Sequence, residues 1–143
     1  HLKANTKADR DVDSNPGPVL SLGVPFLRPN TLIGIHRDGV VRQWDTRGNS
    51  STPSSAFVGL EKSGGASCGA VHATLPLCAV GSANQRLRLC HVDGHVLHEL
   101  KNHRFAGARL GAVALIAFHK FRPELVIGAA DGCSYHACNN IDW

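Results

Sequence analysis

Methionine is absent from all 143 residues, and the chain opens on His1. That reads as a fragment or a processed chain. No apolar run approaches the roughly 18–20 residues that a membrane-spanning helix needs. His1 to Asp13 contains no apolar core of the kind a secretory leader carries. The five cysteines, Cys68, Cys78, Cys90, Cys133 and Cys138, are odd in number and irregular in spacing. They do not form the pattern of a secreted disulfide framework, and they read as buried thiols in a reducing compartment. No Cys-x-x-Cys pair occurs. No Cys-His pairing for nucleophilic catalysis can be assigned from the sequence either. Gly64-Gly65 lacks the glycine-lysine-serine/threonine ending of a phosphate-cradling loop. These absences leave no catalytic, cofactor-binding or metal-binding residue to nominate. Cys90, His91, His95 and His98 crowd together, as do Cys133, His136 and Cys138. Adjacent strand residues point to opposite faces, however, so neither group converges as a tetrahedral zinc site would.

What is present points to a folded, all-β chain. Apolar residues make up 43% and charged residues 18%, a balance that can build a core. Fifteen Gly and seven Pro supply dense turns, and long helical periodicities are few. The net charge is +4 with His neutral, and the pI is about 9.0. That mild excess attracts anions only weakly.

Residues 1–18 are polar and end on Asn15-Pro16-Gly17-Pro18, which reads as a loop or linker. Gly48 to Ser55 is a second polar tract, built from residues that prefer turns and open to phosphorylation. Between and after these tracts, short β-like runs recur. Val19–Phe26, Thr31–His36, Val40–Asp45 and Ala56–Leu60 form a first group. Ala66–His72, Leu77–Ala83, Arg86–Val92 and His95–Leu100 form a second. Ala112–His119, Leu125–Ala130 and Cys133–Cys138 begin a third. Leu32, Leu77 and Leu125 open equivalent strands 45 and 48 residues apart. Asp38, Asn84 and Asp131 occupy equivalent turns 46 and 47 apart. A repeat of four strands in about 45 residues is the signature of a propeller blade. Trp44-Asp45 closes the third strand of the first repeat, where the WD dipeptide of that repeat class sits, and Trp44 is expected to pack between neighbouring sheets.

The expectation is therefore an all-β, partial WD-repeat β-propeller of about two and three-quarter four-stranded blades over 19–143. Asp38, Trp44, Asp45, Asn84 and Asp131 are its structural repeat residues. Rings typically hold 4–8 blades, so the remainder of the propeller, and the missing fourth strand of the last blade, would come from upstream.

The stretch Phe105-Ala106-Gly107-Ala108-Arg109-Leu110-Gly111 leads into Ala117-Phe118-His119. Leu125-Val126-Ile127-Gly128-Ala129-Ala130-Asp131 follows. This Phe-x-Gly-x-Arg-x-Gly linker and the blade after it resemble the C-terminal end of the Raptor family, scaffold subunits of TOR kinase complex 1. The resemblance covers roughly residues 66–138, about half the chain. Lys120 departs from the family, which usually has Pro there. Cys133 to Cys138 is also less β-branched than the family's last strand. The resemblance implies a non-catalytic scaffold in TOR nutrient and growth signalling. It implies protein partners among the TOR complex subunits, and a cytoplasmic site with recruitment to the lysosome or vacuole surface. Another WD-repeat adaptor, in ubiquitin ligation or RNA handling, is the alternative. An upstream caspase-like domain with helical repeats would favour the first reading, and an F-box or RNA-binding module the second.

Between residues 84 and 109, Arg86, Arg88, Lys101, Arg104 and Arg109 outnumber Asp93 and Glu99 by three. An acidic protein partner and a merely solvated sheet edge both fit that excess. Phe105 is the lone aromatic of the stretch, too little for a base-stacking platform, so nucleic acid is disfavoured. Ordered loops concentrate functional residues. The linker residues Arg104, Phe105 and Arg109 are therefore the candidate protein-binding set.

Overall fold

The computed structural model describes residues 17–61, 65–101, 104–105, 108–109, 111–132 and 134–138. Its strands are β1 (Val19–Gly23), β2 (Thr31–His36), β3 (Val40–Asp45) and β4 (Ser55–Val58), then β5 (Cys68–Val71), β6 (Leu77–Gly81), β7 (Arg86–His91) and β8 (Val96–Lys101). There follow β9 (Arg104–Phe105), β10 (Ala108–Arg109), β11 (Val113–Phe118), β12 (Glu124–Ala129) and β13 (Ser134–Cys138). They form two four-stranded sheets, β1-β2-β3-β4 and β5-β6-β7-β8, and a three-stranded sheet, β11-β12-β13. Each is an antiparallel meander, and together they make an open, partial propeller. The expected linker contains a small ribbon, β9 with β10, pairing Arg104 with Arg109 and Phe105 with Ala108. The first polar tract lies outside the described residues up to position 16.

Two cores hold the sheets together. Ile33, Ile35 and Val41 of the first sheet meet Cys78, Val80, Cys90 and Val92 of the second. On the other side of the second sheet, Ala79, Leu87 and Leu89 meet Val113, Ile116, Leu125 and Ile127 of the third. All five residues of β6 are thus buried, as a strand covered on both faces must be. Glycine sets the spacing. A Cβ on Gly69 would stand 2.7 Å from Ile35, and one on Gly81 would stand 2.6 Å from Val113. Only side-chain-free backbone lets the sheets approach this closely.

Strand ends differ from expectation for local reasons. β4 stops at Val58 because the N–H groups of Gly59 and Leu60 both turn to the carbonyl of Gly39, at 2.8 and 3.0 Å. β1 stops at Gly23, and the Phe26 N–H donates across to Ala73 of the next sheet. The repeat also shows in the backbone. Gly39, Gln85 and Gly132 follow the three equivalent turn residues, and all three have positive φ, at 81°, 60° and 85°.

Candidate docking surface

In a meander the loops after the first and third strands lie at one end of the sheet. The loops after β1, β5 and β11 come together there and are tied in series. Phe26 N–H donates to the Ala73 carbonyl at 2.8 Å. The Thr74 hydroxyl donates to the Lys120 carbonyl at 3.1 Å, and His72 Nε2 bonds to the Arg122 carbonyl at 3.1 Å. His72 is fully buried. Its Nδ1 accepts from the N–H groups of Thr74 and Leu75, at 3.1 and 3.0 Å, which leaves the proton on Nε2 for the Arg122 carbonyl. His119 repeats the arrangement: its Nδ1 accepts from Phe121 and Arg122, both at 3.1 Å. One imidazole thus closes the turn after β5 and another the turn after β11.

These tied turns display large apolar groups to solvent. Phe26 is 76% exposed, Phe121 67%, and Leu27 66%. Cations flank them. Arg28 reaches Asp93 of the second sheet at 2.9 Å, the Lys120 ammonium stands 5.2 Å from the Phe121 ring centre, and Arg122 pairs with Glu124 at 3.4 Å. Exposed apolar groups held on fixed turns and rimmed by charge are the usual makings of a protein contact. The sequence reading missed this rim. Its signal was available: Pro29, Pro76 and Pro123 recur at intervals of 47 residues, and Arg28-Pro29 matches Arg122-Pro123.

The structural repeat residues fall in different settings. Asp38 accepts from the Val40 N–H at 3.0 Å and holds the Arg42 guanidinium through both oxygens, at 3.2 and 2.8 Å. This pair is almost wholly buried. His36 lies beside it, and burial, with help from Arg42, lowers its pKa. Trp44 is half-buried. It shares with Arg42 the face of β3 turned away from the second sheet, so the described residues do not sandwich it between sheets. Its ring edge lies over Gly34, 2.9 Å from where a Cβ would be, and its Nε1 donates to the Ser51 carbonyl at 3.2 Å. Asp45 is exposed and bound by Arg47, whose hydrogen bonds hold its carboxyl down at about 2. Asn84 and Asp131 are exposed at their turns, and the Asn84 N–H donates to the Ser82 hydroxyl at 3.1 Å.

The basic stretch is partly neutralised within the sheet. Arg86 and Arg88 both reach Glu99, at 2.5 and 3.3 Å, and Arg88 also donates to the Gly59 carbonyl at 3.1 Å. Arg88 occupies in the second sheet the place of Arg42 in the first. Arg104, Phe105 and Arg109 lie on the β9–β10 ribbon, with Arg104 directly opposite Arg109. Among the described residues no group of three or more His, Cys, Asp or Glu is placed to hold a metal ion. Cys78 and Cys90 sit opposite each other in the core. Burial pushes both thiols up, that of Cys90 to about 11. Cys133, His136 and Cys138 have no described side chains. At the other end of the sheets, Leu20, Arg37, Ala66, Ser67 and Ala83 line a shallow pocket of about 280 Å³.

No family model matches the chain. Over 80 residues, 51% of this chain and 5% of the relative, it is 32% identical to the protein raptor homolog of Dictyostelium discoideum. Over 63 residues, 43% of this chain and 5% of the relative, it is 35% identical to the regulatory-associated protein of TOR 2 of Oryza sativa subsp. japonica. The crystal structure of Chaetomium thermophilum Raptor matches 90% of this chain with a TM-score of 0.72, 24% identity and 12% of its own length. The chain resembles Raptor in sequence and in fold. The propeller part of the likeness is general, because the computationally designed Ika8 protein matches 87% of the chain and 34% of its own length, with a TM-score of 0.66 and 17% identity. The sequence match to the raptor homologues is what singles Raptor out. The chain spans about a twentieth of the length of these curated relatives. No helix among the described residues is long and apolar enough to cross a membrane.

Proposed function

We propose that this chain is a C-terminal propeller segment of a Raptor-like scaffold in TOR complex 1. Its work is non-catalytic: it presents rigid turns and a charged linker to protein partners, in the cytoplasm and at the lysosome or vacuole surface. The observation that carries this reading is the identity to raptor homologues from two distant organisms. Two surfaces are assigned to docking. One is the rim of Phe26, Leu27 and Phe121. The other is the linker with Arg104, Phe105 and Arg109, which joins the second and third sheets in sequence and carries two cations and an aromatic side chain. Asp38, Trp44, Asp45, Asn84 and Asp131 act as repeat residues that hold the blades in register.

The test is affinity purification of the full-length protein followed by mass spectrometry of what comes with it. A TOR-type kinase among the partners is the expected result. Ubiquitin-ligase or RNA-processing subunits without that kinase would replace this reading with another WD-repeat adaptor. Within a positive result, Arg104→Glu with Arg109→Glu, and separately Phe26→Ser with Phe121→Ser, should each lower the recovered partners while leaving the melting temperature unchanged. Unchanged recovery would remove the altered surface from the docking assignment.

A further inference from the structure

The loop between β3 and β4 is exposed without interruption from Asp45 to Ala56, and none of its side chains contributes to either core. It is not a loose tether. Trp44 Nε1 donates to the Ser51 carbonyl at 3.2 Å. The Ser54 N–H and hydroxyl both donate to the Gln43 carbonyl, at 2.7 and 3.1 Å. These two anchors bracket Thr52-Pro53 and hold that dipeptide out at the tip. The Thr52 hydroxyl bonds only to the Ser50 hydroxyl among the described residues, at 2.5 Å, and that partner is itself exposed. The Ser50 hydroxyl also accepts from the Thr52 N–H at 3.2 Å and lies 3.4 Å from its carbonyl, so freeing Thr52 for reaction gives up contacts to one exposed serine, which water replaces.

Proline after the acceptor narrows the chemistry. Pro53 has no N–H to leave unpaired and biases Thr52 to an extended backbone. Kinases bind their substrates extended, and one class requires proline next to the acceptor. We propose that Thr52 is a phosphorylation site for a proline-directed serine/threonine kinase. In the transfer, Thr52 Oγ1 attacks the γ-phosphorus of ATP. The new O–P bond forms as the bond to the β,γ-bridging oxygen breaks. ADP leaves, and the hydroxyl proton passes to the kinase's carboxylate. The product carries about −1.5 to −2 charges at neutral pH. Asn49, Ser50, Ser51, Thr52, Ser54 and Ser55 supply no charge, so the phosphate would give this uncharged tip a negative charge. The tip lies at the same end of the sheet as the Phe26 turn, to which the chain is joined by the Thr46 N–H donating to the Asn30 carbonyl at 2.9 Å.

The test incubates the full-length protein with a purified proline-directed kinase and ATP, and maps the phosphate by tandem mass spectrometry. Phosphate on Thr52 is expected. It should persist in Thr52→Ser, vanish from the tip in Thr52→Ala, and fall at least tenfold in Pro53→Ala. All three variants should melt with the parent, since the side chains are exposed. No phosphate on Thr52 while a control peptide is modified would overturn the proposal. So would labelling that is unaffected by Pro53→Ala, or that lands on Ser50 or Ser51 instead.

Discussion

Asp38 and Arg42 carry a charge pair into a nearly dry setting, where an ion left alone is far more costly than the pair together. Asp38→Ala takes a buried charge partner from the Arg42 guanidinium and the acceptor from the Val40 N–H. It should cost about 3 kcal/mol in denaturant unfolding of the full-length protein. Trp44→Ala should cost less than the 3–5 kcal/mol of a fully buried ring, about 2 kcal/mol, because half of the indole faces outwards. His36 gives the site a pH dependence. Its pKa is lowered in the fold, so the unfolded chain takes up the proton first. Its contribution is complete above the ordinary value of 6.5 and is lost as pH falls through and below it. Asp45, Asp93 and Glu99, all lowered by arginine partners, add a second loss at more acidic pH. Melting temperature should therefore fall in two stages on acidification, and His36→Gln should remove the first. Cys78 and Cys90 should resist alkylation in the native protein and react once it is unfolded, as peptide mapping would show.

At the scale of the strand and turn, close approach decides what is tolerated. Gly81→Ala would press a methyl into Val113 across the second and third sheets and should cost about 1–3 kcal/mol. Gln85→Gly should have the opposite sign. A glutamine at φ 60° strains a turn that glycine serves at the equivalent positions, and relief is worth about 0.5–1 kcal/mol. The strands themselves were legible because alternation and turn residues sit on one repeat: Leu32, Leu77 and Leu125 mark it, and so do Asp38, Asn84 and Asp131. Exact strand ends were not, because backbone groups such as those of Gly59 and Leu60 choose a partner that is remote in sequence. The docking rim escaped for a related reason. Phe26 and Phe121 are 95 positions apart, and their turns share one end of the sheets only through the bonds of Ala73, Thr74 and His72 in the second sheet's loop. The β9–β10 ribbon was invisible too, since its paired residues carry no alternation long enough to read.

The whole molecule has two unfinished sides. Leu115 is 63% exposed and Val126 44% on the outer face of the third sheet. Leu22, 59% exposed, lies on the outer face of the first. In a propeller each sheet face rests on the next, so these surfaces are complete only against further blades. Three successive blades of an open ring would leave both of these faces bare in the 143-residue chain produced alone, and sedimentation velocity reads the consequence. The expected result is self-association that grows with concentration and weakens in Leu115→Glu with Val126→Glu. A monomer at every concentration, with a single cooperative melt and no response to those substitutions, would contradict it.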